Sequence, residues 1–257
     1  MDVRLFKHAS FTTTAVALTL GSFVVFGYLY FTTFYLQLVC GYTPLQTGLL
    51  FISLSAGLVA GAPLSQRATQ RFSTRTTIAA GIALMGAAFA GVTGLGAHTS
   101  PAWFVMDAFA LQLGFALVPA SGTTLASPSV PTDRTEAGSA LLNTLRQLGS
   151  ALGVAVLGSP LWSRYAGMMT DRLTDSPADI RRTAAEPLAS ALGTGDPAAT
   201  QAAAPAFLSA MHTTTLIAAA VCGIALLVTL FIRPSRRTGI TLPQAAARER
   251  ERAGHSA

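Results

Sequence analysis

Six stretches of this chain are each apolar for long enough to cross a bilayer, since about 20 residues of helix span a hydrocarbon core of about 30 Å. They run over approximately residues 11–38, 45–64, 77–95, 102–127, 137–162 and 207–232. No water reaches that core to satisfy backbone groups, so segments of this kind fold as helices whose hydrogen bonds close internally. The reading is an all-α membrane protein with six transmembrane helices. Composition agrees, because 11% of residues are charged and 51% hydrophobic, against about 25% charged in ordinary soluble domains.

The first span follows a short basic leader but exceeds the apolar run of about 7 to 15 residues found in a signal peptide, so it is read as retained. Charge sets the expected topology. Arg4, Lys7, Arg67, Arg71, Arg75, Arg134, Arg233, Arg236 and Arg237 lie at alternate ends of the spans, whereas loops 40–44 and 97–101 carry no Lys or Arg. The positive-inside rule then puts both termini in the cytoplasm of a multi-pass cell-membrane protein. Sixteen of the 17 basic residues are arginine, a bias that points to a GC-rich bacterial genome and hence to a bacterial inner membrane. Basic residues at helix ends, with no aromatic-interleaved patch, argue against nucleic acid as a partner.

Residues 163–206 form the one long connection and are expected outside the cell. Arg164, Arg172, Arg181 and Arg182 there nearly balance Asp171, Asp175, Asp179, Glu186 and Asp196. Ser176 and Pro177 read as a helix start, and Ile180, Ala184, Leu188 and Leu192 then repeat every fourth residue, which suggests a short amphipathic helix. Residues 193–205 read as a linker and residues 235–257 as a disordered cytoplasmic tail. Cys40 and Cys222 imply no disulfide framework.

Within the fifth span, a helix starting near Thr135 carries Arg146 about 17 Å along its axis, a depth at which a charge costs roughly 2.5 to 3.5 kcal/mol and must face protein or water. Ser139, Asn143, Arg146, Ser150 and Gly153 share one helical face, and Leu141, Leu145, Leu148 and Leu152 another. Gly149 and Gly153 add a G-x-x-x-G spacing that admits a neighbouring helix closely. Ser139, Asn143, Arg146, Gly149 and Gly153 are therefore candidates for an interface with a second helical bundle.

Asp107 is the acid inside a predicted span, about 10 Å from the nearer end of its helix by the helical rise. Asp107, Ala110, Gly114 and Ser121 share a face of small or polar groups. Asp107 is the proton-coupling candidate, because a carboxyl beside a cavity can carry a proton through apolar surroundings; the alternative is an interfacial acid reaching water. In the first span Tyr28, Thr32 and Tyr35 form one polar stripe and Tyr30, Thr33 and Gln37 a second. Tyr28, Thr32, Thr33, Tyr35 and Gln37 are candidates to line a cavity for amphipathic organic molecules, with aromatic anchoring at the interface as the alternative for Tyr35. Arg67, Arg71 and Arg75 follow one another at intervals of four between the second and third spans and read as a topology anchor. The sequence has no metal-ligand spacing among His8, His98, His212 and His255, no P-loop, and no G-x-S-G of an intramembrane serine protease. No enzyme activity, metal or cofactor is expected.

The segments VRLFKHASFT from Val3, YLQLVCGYTPLQTGLL from Tyr35, PLSQRATQRFSTR from Pro63 and VPTDRTEAGSALLNTLRQLGSALGVAVLGS from Val130 together carry a family likeness. Over about residues 3–165 the chain resembles the C-terminal six helices of the fourteen-helix drug:proton antiporters of the major facilitator superfamily, the EmrB/QacA type. The resemblance implies one pseudo-symmetric half of an alternating-access transporter. Its first and fourth helices would line a central cavity, its second and fifth would flank the other half, and its third and sixth would support from outside. It implies export of drug-like molecules, including antibiotics, by proton antiport, with Tyr35, Gln37 and Asp107 bordering the cavity.

The sequence departs from the family at Gln66, Gln70 and Ser73, where the second loop ordinarily carries a glycine, an aspartate and a glycine. The chain also begins where such a transporter would be past its middle, so an N-terminal half is the expected partner. A homodimer would offer Gln70 instead of an aspartate to the start of the fifth helix, losing about 0.3 to 1 kcal/mol of helix-dipole interaction, and is disfavoured. The other expectation is a truncated, non-transporting remnant or an accessory subunit of another transporter.

Overall fold

The computed structural model describes residues 9–97, 99–118, 132–174, 176–186, 188–193 and 195–231. Every described element is helical. α1 (Ala9–Phe34) ends in one π-helical turn (Tyr35–Val39), followed by α2 (Pro44–Arg71), α3 (Thr74–Val92), α4 (Pro101–Leu117), α5 (Thr132–Arg172), α6 (Ala178–Ala184), α7 (Leu188–Gly193) and α8 (Pro197–Phe231). Segments of α1, α2, α3, α5 and α8 are long and apolar enough to cross a membrane, and α4 is a shorter apolar helix. The C-terminal part of the fourth expected span, with Ser121, the side chains of Arg134 and Ser139, and Arg4, Lys7, Arg233, Arg236, Arg237 and the tail lie outside what is described.

Local chemistry fixes the helix starts. The Thr43 hydroxyl accepts from the Gln46 N–H at 3.3 Å while Gln46 Oε1 accepts from the Thr43 N–H at 2.9 Å, a capping box with Pro44 in the first turn. Ser73 caps α3 by accepting from Thr76 N–H, and Ser100 caps α4 ahead of Pro101. At the far end of α1, the Cys40 N–H reaches the Tyr35 carbonyl at 3.0 Å and Gly41 takes φ 72°, a left-handed turn into α2.

The helices pack in the order α2, α4, α3, α8, α5, α1, with α1 closing lightly onto α4 and α3. Lipid tails supply no hydrophobic drive between helices, so close backbone approach and internal hydrogen bonds must hold such a bundle. Two glycine pairs do this. A Cβ on Gly149 would run into the Thr19 carbonyl and one on Gly153 into the Phe23 carbonyl, so α5 lies backbone to backbone on α1 and parallel to it. Gly57 meets the Phe109 carbonyl and Gly61 meets Ala116 and Leu113, so α2 lies in the same way on α4. α3 runs antiparallel to α4, where Gly81 and Gly114 face each other's carbonyls, and antiparallel to α8, where the Arg75 Nε donates to the Thr229 carbonyl at 3.1 Å.

Three departures from the sequence reading have physical causes. α5 runs ten residues past 162 and α8 begins ten residues before 207; the α8 extension is alanine-rich, and that of α5 carries Arg164, Met168, Met169 and Arg172, all good helix formers. The expected single amphipathic helix is two short ones, α6 and α7, and the sequence carries Pro187 between them, which lacks a helical N–H. α2 continues to Arg71, so Arg67 and Arg71 are helical and only Phe72 and Ser73 connect α2 to α3.

Candidate functional site

At the distal end of the bundle, where α1 finishes, carbonyls at and just past the end of α3 meet side chains from three other helices. Tyr35 on α1 donates its hydroxyl to the Gly96 carbonyl at 2.9 Å, His212 on α8 brings Nε2 to 2.9 Å from the Leu95 carbonyl, and Trp103 on α4 donates Nε1–H to the Gly91 carbonyl at 3.3 Å. This hub knits α1, α4 and α8 around the end of α3.

One helical turn deeper lies Asp107, which is 8% exposed. Its Oδ2 accepts from the Tyr28 hydroxyl at 2.9 Å, and its other oxygen rests against Gly91, where a Cβ would stand only 2.5 Å from Oδ1. Tyr28 is fully buried among the rings of Phe31, Phe89 and Phe104. Among the described residues no cation faces this carboxyl from α1, α3 or α4. An ionised carboxylate with so few partners is expensive in a low-dielectric interior, whereas a neutral one is cheap. The carboxyl thus has one hydroxyl donor and no charged partner among the described residues.

The cavity-lining candidates divide. Tyr28, Thr32 and Tyr35 are buried, and their hydroxyls are spent inside the bundle on Asp107, on the Tyr28 carbonyl at 2.6 Å and on Gly96, so this stripe is core rather than cavity wall. Thr33 and Gln37 stay half-buried on the more open side of α1, beside Tyr30, whose hydroxyl accepts from Trp162 Nε1 at 2.9 Å.

The interface candidates divide as well. Gly149 and Gly153 are taken up by α1 within this domain, a correction that follows from the missing Cβ allowing the α1 backbone so close. Asn143 and Arg146 are exposed and joined by Arg146 Nη2 donating to Asn143 Oδ1 at 3.0 Å. Arg67 and Arg71 are exposed, with the Arg71 guanidinium 5.9 Å from the Phe72 ring centre, while Arg75 ties α3 to α8. A small apolar recess of about 10 Å³ between α1, α3 and α8 is lined by Gly21, Val24, Met85 and Cys222 among others. The partners Gly91, Trp103 and Trp162 escaped the sequence reading, since no spacing within one segment points from them to Asp107 or Tyr30.

The family model of the Major Facilitator Superfamily matches residues 3–154. The chain belongs to the Major Facilitator Superfamily. It is 28% identical over 250 residues to the tetracenomycin C resistance and export protein of Streptomyces glaucescens, covering 91% of this chain and 46% of that protein. It is 34% identical over 163 residues to the multidrug resistance protein Stp of Mycobacterium tuberculosis, covering 63% of this chain and 30% of that protein. The multidrug efflux pump LfrA of Mycolicibacterium smegmatis is 29% identical over 170 residues, 64% of this chain and 33% of the pump. The chain thus spans half or less of the length of these relatives. In fold it is similar to a bacterial homologue of the lysosomal transporter Spinster, with a TM-score of 0.61 at 22% identity over 91% of this chain and 51% of that one. The all-helical partial Major Facilitator fold read from the sequence is what the molecule has.

Proposed function

We propose that this Major Facilitator chain is the C-terminal, six-helix half of a drug:proton antiporter of the EmrB/QacA type. With an N-terminal half it exports small amphipathic molecules from a bacterial cell against proton entry, and both its termini face the cytoplasm. The observation that carries the reading is Asp107. It is a buried carboxyl with one hydroxyl donor and no cation among the described residues, in a chain whose relatives are named for drug resistance and export.

The half-exposed side of α1, with Tyr30, Thr33 and Gln37, supports a cavity wall for substrate. The exposed Asn143 and Arg146 on α5 support contact with the other half. In the complete transporter, Asp107→Asn should abolish proton-linked dye efflux from vesicles while insertion is intact, and unchanged efflux would sink the proposal. The mass of the detergent-purified complex tests the partner: a hetero-complex with a second helical half is expected, and a homodimer with full efflux would overturn it.

A further inference from the structure

The arginines where α2 passes into α3 take no part in the site around Asp107, and the structure divides them. Arg75 is spent inside the bundle, its Nε donating to the Thr229 carbonyl at 3.1 Å. Arg67 and Arg71 lie one turn apart on the same face of α2. Both are exposed, and neither makes a hydrogen bond or ion pair among the described residues. The sequence has no acidic residue from 44 to 106 that could neutralise them.

Beside this pair runs a groove of about 200 Å³ lined by Ala68, Phe72, Thr76, Thr77, Ala80 and Leu117. Thr77 and Leu117 are buried and form its floor, while Phe72, Thr76 and Ala80 are exposed along its edges. Its two threonine hydroxyls are already engaged. That of Thr77 donates to the Ser73 carbonyl at 2.9 Å, and that of Thr76 shares a hydrogen bond of 2.8 Å with Ser73 Oγ. The lining therefore suits an apolar guest. Leu117 continues a strip of α4 that includes Met106, Ala110 and Leu113, and Met106 is 66% exposed. The groove is thus continuous with an apolar outer face of the bundle. At its other end the Arg71 guanidinium stands 5.9 Å from the centre of the Phe72 ring.

An occupant must be apolar along the groove and negatively charged where it meets Arg71. Basic residues flanking a membrane span lie at headgroup level and attract anionic lipid, and a guanidinium fork matches a phosphate. We propose that this groove binds one anionic phospholipid, an acyl chain lying over Thr77 and Leu117 and the phosphate held by Arg71 and Arg67. Arginines that served only to fix topology would show no preference among headgroups. The proposal does not depend on Asp107 being a proton site.

The test is fluorescence quenching in the complete transporter, reconstituted in phosphatidylcholine vesicles. Phe72→Trp places a fluorophore at the groove, with every other tryptophan, Trp103 and Trp162 among them, replaced by phenylalanine. Dibrominated phosphatidylglycerol and dibrominated phosphatidylcholine, mixed in separately, then give the relative affinity of each lipid there. Phosphatidylglycerol should bind about fivefold more tightly. Arg67→Gln with Arg71→Gln should bring the ratio to about one, whereas Arg67→Lys with Arg71→Lys should stay within about twofold of the parent ratio. Ala80→Leu, which puts bulk into the groove, should lower quenching by both lipids. If the tryptophan-free background fails to insert, quenching is read as the difference between F72W and the parent. Equal affinities in the parent, a preference that survives the glutamines, no effect of A80L, or quenching by neither lipid, the mark of protein lying in the groove, overturns the proposal. Efflux is not measured, so this result and that of Asp107→Asn can fail separately.

Discussion

Tyr28 and Asp107 stand 79 positions apart in the chain, yet their hydrogen bond is 2.9 Å long and buried. Removing the hydroxyl with Tyr28→Phe leaves a carboxyl oxygen without its donor, a loss of about 1 to 3 kcal/mol. A lower midpoint of thermal unfolding in detergent is the expected reading. Gly91→Ala tests the other oxygen: the new methyl would come within 2.5 Å of Oδ1, so the carboxyl must move, at about 1 to 3 kcal/mol. A variant as stable as the parent would show that the carboxyl is free to shift. Asp107 itself was legible in the sequence because an acid inside an apolar span is conspicuous. Its partner was not, because Tyr28 shares a face with Thr32 and Tyr35, and nothing in a stripe of hydroxyls says whether it meets a cavity or another helix.

Among the elements, the second helix of each three-helix set carries glycines four apart, Gly57 and Gly61 on α2 and Gly149 and Gly153 on α5, and each pair seats the first helix of the other set. The same device thus appears twice, as expected of a domain built from an internal repeat. Gly153→Leu should destabilise by at least the 1 to 3 kcal/mol typical of overpacking, about as much as Gly57→Leu. Gly223 in α8 has open space around it, so Gly223→Ala should be neutral or stabilising by up to about 1 kcal/mol. Thermal unfolding of the three variants side by side checks both statements. The spans were legible because apolar length alone marks a membrane helix, and the α5 glycine spacing was legible too. Which helix filled it was not, because a G-x-x-x-G pattern shows that something comes close without saying whether it belongs to the same bundle. The extensions of α5 and α8 were missed because they leave the apolar stretch, where hydropathy no longer reports helix.

Across the whole molecule, large apolar side chains remain exposed on α2 (Leu45, Leu49, Ile52, Val59), on α5 (Leu148, Leu152, Val156) and on α8 (Leu216, Ile224, Leu227). A bilayer accounts for such faces, and under the proposed function a companion half would cover part of them. Arg146 bears on which is which: its hydrogen-bond partner, Asn143, is on its own helix. Arg146→Leu should therefore change the stability of this domain by no more than about 0.5 kcal/mol, yet lower efflux in the complete transporter. Unaltered efflux would remove Arg146 from the proposed interface.

α5 and α8 also outlast the membrane. With 41 and 35 residues they are about 60 and 50 Å long at 1.5 Å per residue. Beyond the apolar segment they stay packed through Tyr165, Met169, Ala199 and Ala203, with α6 and α7 bound alongside. A stiff mast rooted in the bundle magnifies at its tip any tilt at its base. If this domain rocks during transport, as the proposed function requires, spectroscopic labels on α6 and α7 would read that motion out as a displacement larger than any among the membrane helices themselves.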